Sequence, residues 1–193
     1  MKKNFALIVV FVLTSFLMCA AGAFAQQTAA TPEPTGNDTL VVYFSATGTT
    51  KRVAETIAEI TEADLYEILA ADDYSDADLN WGDRNSRSTL EQNDRNARPE
   101  IASDPLNLEG YTTIYIGYPI WWGEAPRIMD TFVESYDFEE ITMIPFCTSS
   151  SSGLGRSGKI LEENAESGKW LDGKRFGGNV SENDLREWIA SLK

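Results

Sequence analysis

The chain has 193 residues, a net charge of −14 and no histidine. Without histidine there is no Ser-His-Asp triad, no imidazole metal site and no ordinary switch near neutral pH. The acidic balance repels nucleic acid and anionic membrane, and it suits a partner with a basic docking surface.

The N-terminus carries Lys2 and Lys3, an apolar run from Phe5 to Ala20, and the small-x-small sequence Ala23-Phe24-Ala25. Residues 1–25 therefore read as a secretory signal peptide cut before Gln26. An uncleaved anchor is the first alternative, but the run is short for a spanning helix. A lipid on Cys19 is the second, and the bulky Met18 argues against it. The expectation is an exported protein, periplasmic or extracellular. Losing Lys2 and Lys3 while keeping all 30 acidic residues takes the charge from −14 to −16. Cys147 is then the sole cysteine, and no intramolecular disulfide forms. Residues 26–39, QQTAATPEPTGNDT, are polar with two prolines and read as a flexible tether. Residues 40–193 make one domain of ordinary size, long enough to bury a substantial core.

Leu40-Val41-Val42-Tyr43-Phe44 reads as the first strand. The turn Ser45-Ala46-Thr47-Gly48-Thr49-Thr50 follows, and then Val53, Ala54, Ile57, Ala58 and Ile60 recur along one side of a helix. A strand, a hydroxyl-rich turn and a helix N-terminus in that order make an anion site. The first helical N–H groups have no intrahelical partner and point into the turn. Gly48 lets the backbone approach the anion, and Ser45, Thr47, Thr49 and Thr50 each offer a hydroxyl. No Lys or Arg lies in the turn and the G-x-x-x-x-G-K-[ST] pattern is absent, which suits a terminal phosphate better than a nucleoside triphosphate. The plainer alternative is that Thr49 or Thr50 merely caps the helix.

Asp64 to Leu69 alternates as a second strand, Tyr111 to Tyr118 reads as a third and Ile141 to Thr148 as a fourth. A weak fifth lies around Lys169 to Phe176. Pro126 opens a helix carrying Met129, Phe132, Val133 and Tyr136. Ser157 to Ala165 and Glu182 to Leu192 are further helices. Residues 70–105 are long and polar, read as a loop, a helix over about Ser86 to Asn96, and a second loop through Arg98-Pro99. Pro145 is awkward inside the fourth strand because it removes a ladder hydrogen bond. Strands alternating with helices predict a doubly wound α/β domain with ligands beyond the carboxyl ends of its strands.

Three loops lie at such ends: the 45–50 turn, Pro119-Ile120-Trp121-Trp122-Gly123-Glu124, and Thr148-Ser149-Ser150-Ser151-Ser152-Gly153-Leu154-Gly155. One offers phosphate donors, one offers two aromatic faces, and one offers small polar groups. Together they suit a flat heteroaromatic ring joined by a polar chain to a phosphate.

That combination resembles the flavodoxins. YFSATGTTKRVAETIAE looks like their strand, phosphate loop and first helix, and IGYPIWWGEAPRIMDTFVESYDF followed by IPFCTSSSSGLGRS looks like a branch with a Tyr-Pro-Ile-Trp-Trp-Gly loop. DLNWGDRNSRSTLEQNDRNARPEI is also similar to that branch. The resemblance implies a five-stranded parallel sheet in the order 2-1-3-4-5 with helices on both faces. It implies that Ser45, Thr47, Gly48, Thr49 and Thr50 bind the phosphate of flavin mononucleotide (FMN). Pro119, Ile120, Trp121, Trp122 and Gly123 would line its ring and ribityl chain, and Thr148, Ser149 and Gly153 would close the other side. The branch often has paired glycines in the third loop, where this chain has four serines before Gly153. If the second loop stays extended, only one of Trp121 and Trp122 faces the flavin. Trp170 and Trp188 read as packing residues. Cys147 invites a phosphatase reading, but Arg156 is too distant for the short Cys-to-Arg loop of that class. A buried, inert thiol is the better expectation.

The function implied is an exported electron carrier cycling a bound flavin between redox partners, with no catalytic or metal-binding residue. The alternative is an FMN-dependent NAD(P)H:quinone-type oxidoreductase, whose nicotinamide donor is expected to be scarce outside the cytoplasm. A non-redox binding module that kept the fold is a third possibility.

Overall fold

The run of apolar β-branched residues at the start of the domain calls for a strand covered on both faces. In a computed structural model, which describes residues 36–192, that strand is β1 (Thr39–Phe44), and Leu40, Val41 and Val42 are fully buried. The signal segment and residues 26–35 of the tether lie outside the described residues. Among the described residues, no helix is long and apolar enough to cross a membrane.

The chain continues through α1 (Thr49–Thr61), β2 (Asp64–Ile68), α2 (Arg87–Asn93), β3 (Thr113–Pro119) and α3 (Arg127–Val133). It ends with β4 (Thr142–Thr148), α4 (Ser157–Ala165), β5 (Lys169–Trp170), β6 (Lys174–Phe176) and α5 (Glu182–Ser191). The pairings between these strands are all parallel, in the order β2-β1-β3-β4 with β5 and β6 both on the outer edge of β4. This is the expected doubly wound sheet, since β5 and β6 are two pieces of one fifth strand.

The break in that strand has a cause in the sequence. Met143 is opposite Trp170 and Phe146 is opposite Lys174, so one extra residue sits across from Pro145. The Met143 carbonyl accepts from the Leu171 N–H at 2.9 Å. Residues two apart on a strand address the same neighbour, so the N–H that Pro145 lacks would have faced this edge. The outer strand bulges where no donor exists, and β4 keeps its regular pairing with β3.

Alternation along β1 sorts its side chains into two cores. Val41 and Tyr43 pack with Val53, Ile57, Leu185 and Trp188 under α1 and α5. Leu40, Val42 and Phe44 pack with Ile116, Met129, Phe132 and Leu161 under α3 and α4. A reciprocal capping box between Ser181 and Asp184 starts α5.

Residues 70–105 have few apolar side chains and are fixed by polar contacts instead. The Tyr74 hydroxyl donates to Glu91 at 2.6 Å, the Arg87 guanidinium lies 4.1 Å from the Tyr74 ring centroid, and Arg98 clasps Glu134 with two donors at 2.8 and 2.6 Å. Burial and the adjacent Glu91 hold the Tyr74 phenol well above its ordinary range. The helix within this segment is shorter than the predicted span, because Asp94 leaves the helical conformation at φ −102°, ψ 107°.

Candidate functional site

The first loop is shaped by local sequence. Gly48, at φ 78°, is the residue before α1, and no side chain caps the helix. The first turn of α1 contains no acidic residue, so its free N–H groups and partial positive charge are left for an external anion. A Cβ on Gly48 would meet nothing within 4 Å, leaving open space above the turn. The Ser45 hydroxyl is buried and has no hydrogen-bond partner. Such an orphan is costly unless something outside the protein satisfies it. The Thr47 and Thr49 hydroxyls lie 3.4 Å apart.

Thr50 behaves differently from its neighbours. It is 1% exposed, and its hydroxyl lies 2.7 Å from that of Thr148 at the end of β4. These two predicted ligand residues tie the first loop to the third from beneath.

The second loop depends on remote residues. Trp121 and Glu124 exchange backbone hydrogen bonds at 2.9 and 3.0 Å around Trp122 (φ 49°) and Gly123 (φ 85°). Positive φ at both central residues makes this a tight hairpin turn instead of an extended segment. From α2, the Gln92 side-chain amide donates to the carbonyls of Trp121 and Ala125 at 3.1 and 3.2 Å. From α3, the buried Arg127 donates to the Gln92 carbonyl at 2.9 Å, to Glu124 at 2.8 Å and to Asp130 at 3.4 Å.

The turn also separates the roles of its tryptophans. Trp121 packs edge-on against Phe44 and Tyr74, with ring centroids 5.8 and 5.1 Å away. Trp122 is 46% exposed, and its positive φ is rare for so large a side chain. Strain of this kind clusters at binding sites.

In the third loop the Ser149 hydroxyl accepts from the N–H groups of Ser151 and Ser152 at 3.3 and 2.9 Å. The Ser149 N–H donates to the Phe176 carbonyl at 3.0 Å, and Arg175 donates to the Ser149 carbonyl at 2.6 Å. The serines thus obtain a fixed shape from hydrogen bonds without the paired glycines.

A cleft of about 620 Å³ gathers Thr47, Ile120, Trp121, Trp122 and the serines 149–152 from all three loops. Leu79, Trp81 and Ser88 of the long polar segment complete its wall. Ser45 borders a smaller, separate pocket with Tyr74. Of the first loop only Thr47 lines the main cleft; Gly48, Thr49, Thr50, Pro119, Thr148 and Gly153, also expected at the ligand, do not, and Gly123 lines a separate one. Sequence reasoning missed the wall formed by Leu79, Trp81 and Ser88. Its signals were Trp81, a large aromatic in a polar stretch, and the likeness of residues 78–101 to the flavodoxin branch, which assigned them no contact.

Cys147 is fully buried, and burial pushes its thiol up to about 12. It stays a protonated thiol at neutral pH, against the nucleophile reading. Among the described residues there is no cluster of side chains suited to a metal ion.

Comparison with known proteins agrees with this arrangement. Among curated proteins, none matches the sequence. A candidate flavoprotein from Bacteroides uniformis, of known crystal structure, is 46% identical over 80% of this chain and 99% of its own, with a TM-score of 0.76. One from Bacteroides eggerthii is 41% identical over 80% and 97%, with a TM-score of 0.75. A flavoprotein from Lactobacillus acidophilus, crystallised in complex with FMN, shares the fold at 24% identity over 79% and 98%, with a TM-score of 0.59. The family model described as Flavodoxin matches residues 38–192, from the residue before β1 to the end of the last helix. An open, uncapped turn after β1, facing a cleft at the carboxyl ends of a 2-1-3-4-5 sheet, is therefore what that match covers, and the chain belongs to the flavodoxin family.

Proposed function

We propose that the chain binds FMN in the three-loop cleft and acts as an electron carrier. The observation that carries this reading is the buried, partnerless Ser45 hydroxyl beside the open Gly48 turn. A phosphate at the uncapped end of α1 would accept from Ser45, Thr47, Thr49 and the first helical amides, and would relieve the orphan. Trp122 and Trp81 offer flat faces to a ring, Ile120 an apolar contact, and the serine loop polar groups for its edge. FMN, when bound, supplies the redox chemistry. The chain's residues hold it, exclude water from one side and set its electrostatic surroundings. The net charge of −14 disfavours added negative charge on the bound group and favours a redox partner with a basic face.

The reading includes export, with the signal peptide removed before Gln26. Mass spectrometry of the native protein should find Gln26 at or near the N-terminus, whereas a diacylglyceryl-modified Cys19 would make the protein a lipoprotein. The decisive experiment for the function is an anaerobic spectroscopic redox titration of the purified protein. A carrier should give a yellow protein that reduces in two resolved one-electron steps. A single two-electron step, with steady-state NAD(P)H turnover on a quinone, would replace the carrier by the oxidoreductase. A colourless protein that takes up no FMN would remove both.

A further inference from the structure

Behind the second loop lies another cleft, of about 320 Å³, lined by four arginines, Arg95, Arg98, Arg127 and Arg156, together with Gly123 and Glu124. Four arginines lining one small cleft is unusual in a chain of 16 basic and 30 acidic residues. Its other charged walls are Asp130 and Glu163, so arginine outnumbers carboxylate in the lining.

The arginines are unequally engaged. Arg98 is committed to Glu134 and to the carbonyls of Arg95 and Ala97. Arg127 holds Glu124, Asp130 and the Gln92 carbonyl, yet its Nε is buried without a partner, and the side chain is only 5% exposed. Arg156 has one loose contact, 3.3 Å to Glu163, and its side chain is 74% exposed. Arg95 is exposed, and its guanidinium makes neither a hydrogen bond nor an ion pair among the described residues. Asp130 is paired with Arg127 and accepts from Asn164 at 2.9 Å, and burial raises its carboxyl.

We infer that this cleft is a second anion site, distinct from the three-loop cleft, and that it takes a phosphate dianion. Every basic group lining it is arginine, whose planar fork matches phosphate oxygens in pairs. Arginines bordering the cleft from α3, from just beyond α2 and from the start of α4 suit a tetrahedral dianion better than a single carboxylate. The volume admits a phosphate group and excludes a dinucleotide. The acidity of the whole surface does not forbid this, since charges beyond about 8 Å are largely screened at physiological salt. Gly123 and Glu124 are walls of the site, so occupancy bears directly on the turn that carries Trp122.

The test uses the protein after exposure to excess FMN, titrated with inorganic phosphate at constant ionic strength and followed by backbone amide NMR shifts. The amides of Gly123, Glu124 and Arg156 should shift along one saturating curve. Arg95→Gln with Arg156→Gln, both at exposed positions, should weaken that curve at least tenfold and leave FMN affinity within about twofold. Shifts confined to residues 45–50, an unchanged curve in the double variant, or an equal response to acetate would each overturn the proposal. FMN uptake is measured first by absorbance, so its failure would sink the flavin reading alone. The double variant would still report on the arginine cleft.

Discussion

The first and second loops of the cleft reach their shapes by opposite routes. The 45–50 turn is built from its own residues: a glycine at φ 78°, a helix beginning at Thr49, and hydroxyls left over from the backbone's needs. The 121–124 turn is built from elsewhere, with its carbonyls gripped by Gln92, its acid held by Arg127, and Trp121 wedged against Phe44 and Tyr74. A locally made loop should lose ligand affinity and keep its fold when altered. A remotely made loop should lose stability first.

The largest expected effect tests the remote half. Arg127→Met removes the cation between Glu124 and the buried Asp130 and leaves a carboxylate without its partner. Breaking a buried pair in this way costs about 3–5 kcal/mol, readable as a lower urea midpoint. Asp130 is already raised by burial, and losing Arg127 raises it further. A folded pKa above the unfolded one disfavours the fold as pH rises. The deficit should therefore be greatest at neutral pH and narrow as pH falls into the carboxylate range. A deficit independent of pH would mean that Asp130 is not the group left exposed to the loss.

Ser45→Ala with Thr47→Val tests the local half. Each hydrogen bond to a charged group contributes about 1.5–3 kcal/mol, so FMN affinity should fall more than tenfold. Riboflavin, which has no phosphate, should be affected much less, and the urea midpoint should hold. Equal losses for the two flavins would place the phosphate elsewhere. Thr50→Val belongs with the remote class despite its position in the first loop. It strands the buried Thr148 hydroxyl, at about 1–3 kcal/mol of stability, and should change FMN affinity less than the other pair.

This division also explains what could be read in the sequence. The strands of the sheet, the helices at 157–165 and 182–191 and the first loop all follow from patterns within a few residues of one another, whereas the 2-1-3-4-5 order came only with the family resemblance. The second loop was recognisable as a motif, but its turn was not, because Trp122 has no local reason to take φ 49°. The hydrogen bonds from Gln92 come from 29 and 33 residues away. The wall contributed by Leu79, Trp81 and Ser88 was hidden for the same reason, since residues 70–105 show no apolar periodicity and are held by side-chain hydrogen bonds. Pro145 was legible as an irregularity, yet its consequence fell on the neighbouring strand.

The smallest expected effect sets the two loops against each other with one substitution. Gly48 and Gly123 both have positive φ, 78° and 85°, and a Cβ on either would meet nothing within 4 Å. Alanine should therefore cost the two sites about the same, about 1–2 kcal/mol of left-handed strain, with no clash added. The ligands should tell them apart. Gly48→Ala puts a methyl into the space over the phosphate loop, so it should weaken FMN and spare riboflavin. Gly123→Ala strains the turn that carries Trp122, so it should weaken both flavins together. Asparagine tolerates left-handed backbone better than alanine does, so Gly123→Asn should recover part of the stability. If Gly123→Ala spared riboflavin, the 121–124 turn would have no part in holding the ring, and Trp81 would be left as the main aromatic face of the cleft.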